Sequence, residues 1–151
     1  MAIMSNRSSS SFNNTVIPFL ALVILMTSNV HADSALPLPP CPAKPNCVSS
    51  QAADDHHIEP IKFTEDPGPA FEKLRKLLNV RSDTKVISSD SITIRVEFRT
   101  RLGFVDDGLF VLDAANKHIH IRSAARMGYW DLGKNRSRME EIRQSFESAV
   151  Q

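Results

Sequence analysis

The stretch Ile92-Thr-Ile94-Arg-Val96-Glu-Phe98-Arg99 decides the fold. Its apolar residues fall at every second position with polar ones between, the period of a strand that buries one face and wets the other. Lys85 to Ser89 reads as a strand before it, and Ser89-Asp90-Ser91 predicts a tight turn joining the two. Downstream, Gly108 to Asp113 and His118 to Ser123 predict a hairpin through Ala114-Ala-Asn-Lys117. Consecutive strands with short turns pair antiparallel.

Two helical patterns flank these strands. Asp66-Pro-Gly-Pro69 places prolines where a first helical turn tolerates them, and the helix runs through Asn79 with Phe71, Leu74, Leu77 and Leu78 on one face. Ser137 to Val150 carries Met139, Ile142, Phe146 and Ala149 in one stripe, with Asn135 as its cap. Ile58 to Phe63 adds a short strand. The expected fold class is therefore α+β, a single domain with a mostly antiparallel sheet of about five strands and two amphipathic helices packed on one face. Ile92, Ile94, Val96, Phe98, Ile119 and Ile121 then look toward the helices. Arg95, Glu97, Arg99, His118, His120 and Arg122 share the other, charged face. His118 and His120 point the same way, but the sequence brings no third ligand near them, so no metal is expected.

Before the folded part, Arg7 is the only charged side chain ahead of Asp33, Val16 to Met26 is an apolar run of 11 residues, and Val30-His-Ala32 follows. That order predicts a cleavable signal peptide over 1–32, export to a periplasmic or secreted location, and no stable membrane span after cleavage. A proline-rich linker and stapled loop over 33–57 and the α+β domain over 58–151 complete the expected organisation. Cys41-Pro-Ala-Lys-Pro-Asn-Cys47 reads as a disulfide closing a small loop in an oxidising compartment. Of 18 Lys+Arg only Arg7 precedes Asp33, which leaves 17 against 17 Asp+Glu. That balance argues against a nucleic-acid partner. From Arg95 onward there are eight Arg and two Lys, a bias that favours guanidinium geometry over charge alone.

Four of those arginines lie in Arg122-Ser-Ala-Ala-Arg126-Met-Gly-Tyr129-Trp-Asp131-Leu-Gly-Lys-Asn135-Arg136-Ser-Arg138. Such a cluster either locks a long loop onto carboxylates or presents a site for an anion. Asp106-Asp107 supplies the natural carboxylate partner. Arg122, Arg126, Tyr129, Asp131, Asn135, Arg136, Arg138, Asp106 and Asp107 are the candidate ligand-binding residues.

The order Pro-Asn46-Cys47-Val-Ser-Ser, then Phe104-Val-Asp106-Asp107, then Arg122-Ser-Ala-Ala-Arg126-x-Gly128-Tyr129-x-Asp131-x-Gly133-x-Asn135-Arg136-x-Arg138 resembles domain-of-unknown-function family 1499. The resemblance spans Cys41 to about Phe146. It implies a domain type and carries over no catalytic residue. Gly108-Leu109 and Trp130 depart from the family pattern.

The expected function is that of an exported binding or accessory module that recognises an anionic small molecule or an envelope protein through the arginine-rich loop. One alternative is an envelope structural component without a small-molecule site. The other is a small hydrolase using Asp106, Asp107 or Asp131. Adjacent aspartates on a strand face opposite ways, and neither a Gly-x-Ser-x-Gly elbow nor a His-Glu-x-x-His motif occurs, so enzymatic function ranks last. No catalytic residue and no cofactor is expected.

Overall fold

The computed structural model describes residues 37–149; the expected signal segment and the first residues of the linker lie outside the described residues. The elements are β1 (Cys47–Ser49), β2 (Ile61–Lys62), α1 (Pro67–Val80), β3 (Thr84–Ser89), β4 (Thr93–Arg99), β5 (Val105–Asp113), β6 (His118–Ala125) and α2 (Lys134–Ser148). The strands form one six-stranded sheet in the order β1-β6-β5-β4-β3, with β2 also on β6. Every pairing within it is antiparallel. The α+β class and the antiparallel meander agree with the sequence reading.

Register sets what each strand residue faces. Ile94, Phe110 and Ile121 lie side by side across β4, β5 and β6. With Val96, Phe98, Leu112 and Ile119 they join Phe71, Leu74 and Leu78 of α1 and Met139, Ile142 and Phe146 of α2 in a single buried cluster. Each such side chain contributes roughly 1.5–3 kcal/mol by leaving water, enough in sum to hold two short helices whose propensity alone is marginal. Gly108 lies on the same face between Val96 and Ser123. A Cβ there would sit 2.4 Å from the Phe98 ring and 2.5 Å from the Val96 methyl, so the absent side chain is what lets the Phe98 ring lie flat in the core.

Four local expectations are corrected. The strand expected over Ile58 to Phe63 shrinks to Ile61–Lys62, although Ile58 and Phe63 are both buried. The linker and stapled loop expected over 33–57 contain a strand of the sheet, since Cys47, Val48 and Ser49 form β1 and pair with Ala124, Ser123 and Arg122. Ile92 is 41% exposed and precedes β4, because the Asp90 carboxylate accepts the N–H groups of Ile92 and Thr93 at 2.9 and 2.8 Å and holds Ile92 in the turn. Ala149 lies past the end of α2 and is exposed, outside the stripe expected of it.

The other face of the sheet is partly covered. Leu38 packs on Leu109 and Val111, its N–H donates to Gln51 Oε1 at 2.7 Å, and Arg122 donates to the Pro40 carbonyl at 3.3 Å. From Leu38 onward the proline-rich stretch is thus a cover for the sheet. Proline suits that place because it lays a chain with few free donors across side chains. Cys41 and Cys47 are joined by a disulfide with Cα atoms 5.7 Å apart, which fixes the loop between this cover and β1. A loop so short contributes about 2 kcal/mol on the chain-entropy account.

Candidate functional site

The arginine-rich segment leaves β6 at Ala125 and enters α2 at Lys134. Arg126 folds back over the outer face of the sheet. Its Nε donates to both Asp107 oxygens at 3.1 Å, and its Nη2 donates to Asp107 Oδ1 and Glu97 Oε1, each at 2.7 Å. Glu97 and Asp107 are cross-strand partners, so one guanidinium ties β4 and β5 to the start of the loop. The Arg126 hydrogen bond holds the Glu97 carboxyl below its ordinary pKa, while Asp107 and Glu97 together push Arg126 further up.

Asp131 turns the loop into the helix. Its Oδ1 accepts the Gly133 N–H at 3.0 Å, and its Oδ2 accepts the Asn135 N–H at 2.8 Å and the Asn135 amide at 2.7 Å. Unpaired N–H groups at a helix start attract a carboxylate in this way. The capping expected of Asn135 is therefore performed by Asp131, and Asn135 itself is buried inside the first turn. There it links three parts of the chain. Its Nδ2 donates to the Asn46 carbonyl at 3.2 Å, and its Oδ1 accepts the Ser123 hydroxyl and Arg138 Nη1. Asn46 in turn donates to the Gly128 carbonyl at 2.8 Å, which joins the stapled loop to the arginine-rich one.

Arg138 and Asp106 form the buried floor. Arg138 Nη1 donates to Asp106 Oδ2 at 2.8 Å, its Nε lies 3.7 Å from Asp83 Oδ2, and its guanidinium stacks 4.6 Å from the Phe98 ring centre. Both residues of the pair are almost fully buried. Arg136 donates to the carbonyls of His57 and Asp55 at 2.7 and 2.8 Å, fastening α2 to the chain after β1. Arg122, beneath Pro40, is shifted below the usual arginine range by burial, with Asp107 opposing. The sequence-predicted residues thus lie together at one end of the sheet. All except Tyr129 make hydrogen bonds or ion pairs within the fold; Tyr129 is exposed.

The loop separates two clefts of about 510 Å³ each. One is mixed, with Lys44, Asp55, His56 and Arg136 beside Pro45, Val48 and Tyr129. His56 is clamped by Asp54 at 2.9 Å and the Lys44 carbonyl at 3.0 Å, and the Lys44 carbonyl and Asp54 raise its pKa. The other cleft is apolar. Leu102 and Phe104 of the β4–β5 loop face Met127, Trp130 and Leu132 across it, with Asp106 and Lys134 also lining it. Leu102 is 84% exposed, Leu132 76% and Trp130 64%. Leu132 has φ of 56°, a left-handed conformation that a branched side chain adopts only under constraint, here between the Asp131 carboxylate and Gly133.

Leu102, Phe104, Met127, Leu132 and Lys134 were missed as site residues from sequence. The signal was there in apolar residues interleaved with Gly103, Gly128 and Gly133, a composition too apolar for a solvated turn. A second unforeseen group lies on the covered face, where Ser50 Oγ is 3.1 Å from His120 Nδ1 and His120 Nε2 is 3.6 Å from Asp113 Oδ2. Ser50 Oγ accepts the Ile121 N–H at 2.9 Å and Asp113 accepts two bonds from Asn116, so these groups hold the β6 edge together. No curated protein and no solved structure matches the chain. The family model described as Protein of unknown function (DUF1499) matches residues 37–146, and the chain belongs to that family.

Proposed function

We propose that this is an exported binding module whose apolar cleft takes an amphipathic anionic ligand or partner. The arginine-rich loop builds the cleft, and its apolar residues make the contact. One observation carries the reading: five large apolar side chains, Leu102, Phe104, Met127, Trp130 and Leu132, line one open groove with the Lys134 ammonium beside them. A groove that is mostly apolar with a few polar groups is the usual form of a ligand site, and apolar groups exposed together are uncommon without a partner. An alkyl chain fits between the two loops, and an anionic end meets Lys134. Arg126, Arg136 and Arg138 act as the frame.

Trp130 is the chain's one tryptophan and lines the groove, so its emission reports on this site alone. Titration with octanoate should move the emission to the blue, and octanol at equal concentration should act more weakly. Lys134→Ala should erase the difference between the two. An unchanged spectrum up to the solubility limit of both probes would refute the reading. In that case the engagement of Arg122, Arg126, Arg136 and Arg138 within the fold would favour a purely structural component.

A further inference from the structure

Resting on that reading, we infer that the two loops dock the domain onto the surface of an anionic lipid bilayer. The apolar side chains enter the boundary between headgroups and acyl chains, and the flanking cations meet the headgroup phosphates.

Three observations carry this. The apolar residues project from two loops at the same end of the sheet, and Leu102, Phe104, Met127, Trp130 and Leu132 are all exposed there, with Tyr129 exposed on the neighbouring cleft. Trp and Tyr with aliphatic neighbours are the side chains that partition to a membrane interface. The local charge is cationic. Arg101 directly precedes Leu102, Arg99 lies two residues further back and 3.7 Å from Glu97, and Lys134 follows Leu132 and Gly133. The carboxylates nearby are already engaged: Glu97 and Asp107 by Arg126, Asp106 by Arg138, and Asp131 by the N–H groups that open α2. Arg101 and Lys134 take part in none of these pairings, so they remain available to phosphate. Finally, Leu132 keeps its left-handed backbone while its side chain meets mostly solvent, so packing within the fold does not account for a leucine there. Asp106 and Asp131 also line the groove, but Asp106 is paired with Arg138 and Asp131 is held by the N–H groups that open α2, so the unpaired cations Arg101 and Lys134 beside the apolar tips are what complements an anionic bilayer.

Among the described residues every strand, both helices and the core lie within the unit Ala32–Gln151, so it is the species to test once a cooperative melt shows it folded. It should sediment with vesicles of equal phosphatidylglycerol and phosphatidylcholine and shift Trp130 emission to the blue. Binding to pure phosphatidylcholine should be weaker, and 0.5 M salt should weaken binding to the mixed vesicles. Each of Arg101→Ala and Lys134→Ala should reduce affinity about fivefold, the equivalent of one cation at a charged surface. Leu132→Asn should reduce it without lowering the melting temperature.

A blue shift with octanoate but no vesicle binding would overturn the bilayer inference and leave the binding module standing. Silence with both would overturn both. Equal, salt-insensitive binding to neutral vesicles, or binding that survives Leu132→Asn and Lys134→Ala together, would place any lipid contact elsewhere and overturn the inference. A concentration-dependent dimer that buries Trp130 without lipid would assign the patch to a second copy of the chain.

Discussion

The helix-facing side of the sheet and the loops at its end use the same residue types in opposite ways. On the sheet, Ile94, Phe110 and Ile121 are buried and polar neighbours face out. In the loop and the first turns of α2, Arg126, Asp131, Asn135 and Arg138 are tied into the frame, while Met127, Trp130 and Leu132 face out. An arginine-rich motif is therefore not by itself an anion site. A long loop needs partners for its backbone and a fixed path, and charged side chains supply both. Once the polar groups hold the loop, its apolar residues are what it presents.

Removing a polar support should disturb the fold, and removing an exposed apolar residue should not. The largest effect should come from Asp106→Ala, which leaves the Arg138 charge buried without its carboxylate. A loss of about 3–5 kcal/mol is expected in urea unfolding. Asp107→Ala, the adjacent residue on the outer face, should barely move the melt because its partner Arg126 is exposed. Equal losses at the two aspartates would break the distinction between floor and surface.

Gly108→Ala should be next. The added methyl must displace Phe98 and Val96, at a cost of about 1–3 kcal/mol by overpacking. A neutral result would mean that the Phe98 ring, and Arg138 stacked on it, can move. Asp131→Ala should remove the cap of α2, with a loss of about 1 kcal/mol. Asp131→Asn should recover only part of that loss, because its amide keeps one acceptor oxygen where the carboxylate uses both.

Acid should act gradually. Arg126 holds Glu97 below its ordinary pKa of 4.5. Burial opposes ionisation of Asp83 and Asp113, but Arg81 and Thr84 at the first and Asn116 at the second outweigh it and hold both below 3.8. A carboxylate with a depressed folded-state pKa stabilises fully above its unfolded pKa, and that stability is lost as pH falls through the folded value. The melting temperature should therefore fall as pH drops below about 4.5. Glu97→Gln should flatten part of that fall. An unchanged acid slope in the variant would show the Arg126 pairing to be weak in solution.

Much of the fold was legible because it rests on local periodicity. The alternation from Ile94 to Phe98 and the four residues from Ala114 to Lys117 marked β4 and the β5–β6 turn. The strand β1 was not, and β2 was read too long, since three and two residues are too few for a period and pair only along β6. The site was legible as a cluster with Asp106-Asp107 as carboxylate partners, but not which arginine each aspartate meets. Asp107 meets Arg126 through cross-strand register, and Asp131 rather than Asn135 caps α2 because Leu132 and Gly133 both turn left-handed before the helix. The glycines beside Trp130 and Leu132 marked an apolar loop but not its exposure, because an apolar residue in a sequence looks the same whether a core or a partner will cover it.

The central claim, that polar residues frame the loop and apolar ones form its working surface, is tested most directly by Leu132→Asn. Melting temperature and the Trp130 response to octanoate and to anionic vesicles would be read on the same preparation. Asparagine suits the left-handed backbone at that position, so the melting temperature should hold or rise slightly. The Trp130 response should shrink sharply. A lower melting temperature with an undiminished response would contradict the account, placing Leu132 in the frame and the working surface elsewhere.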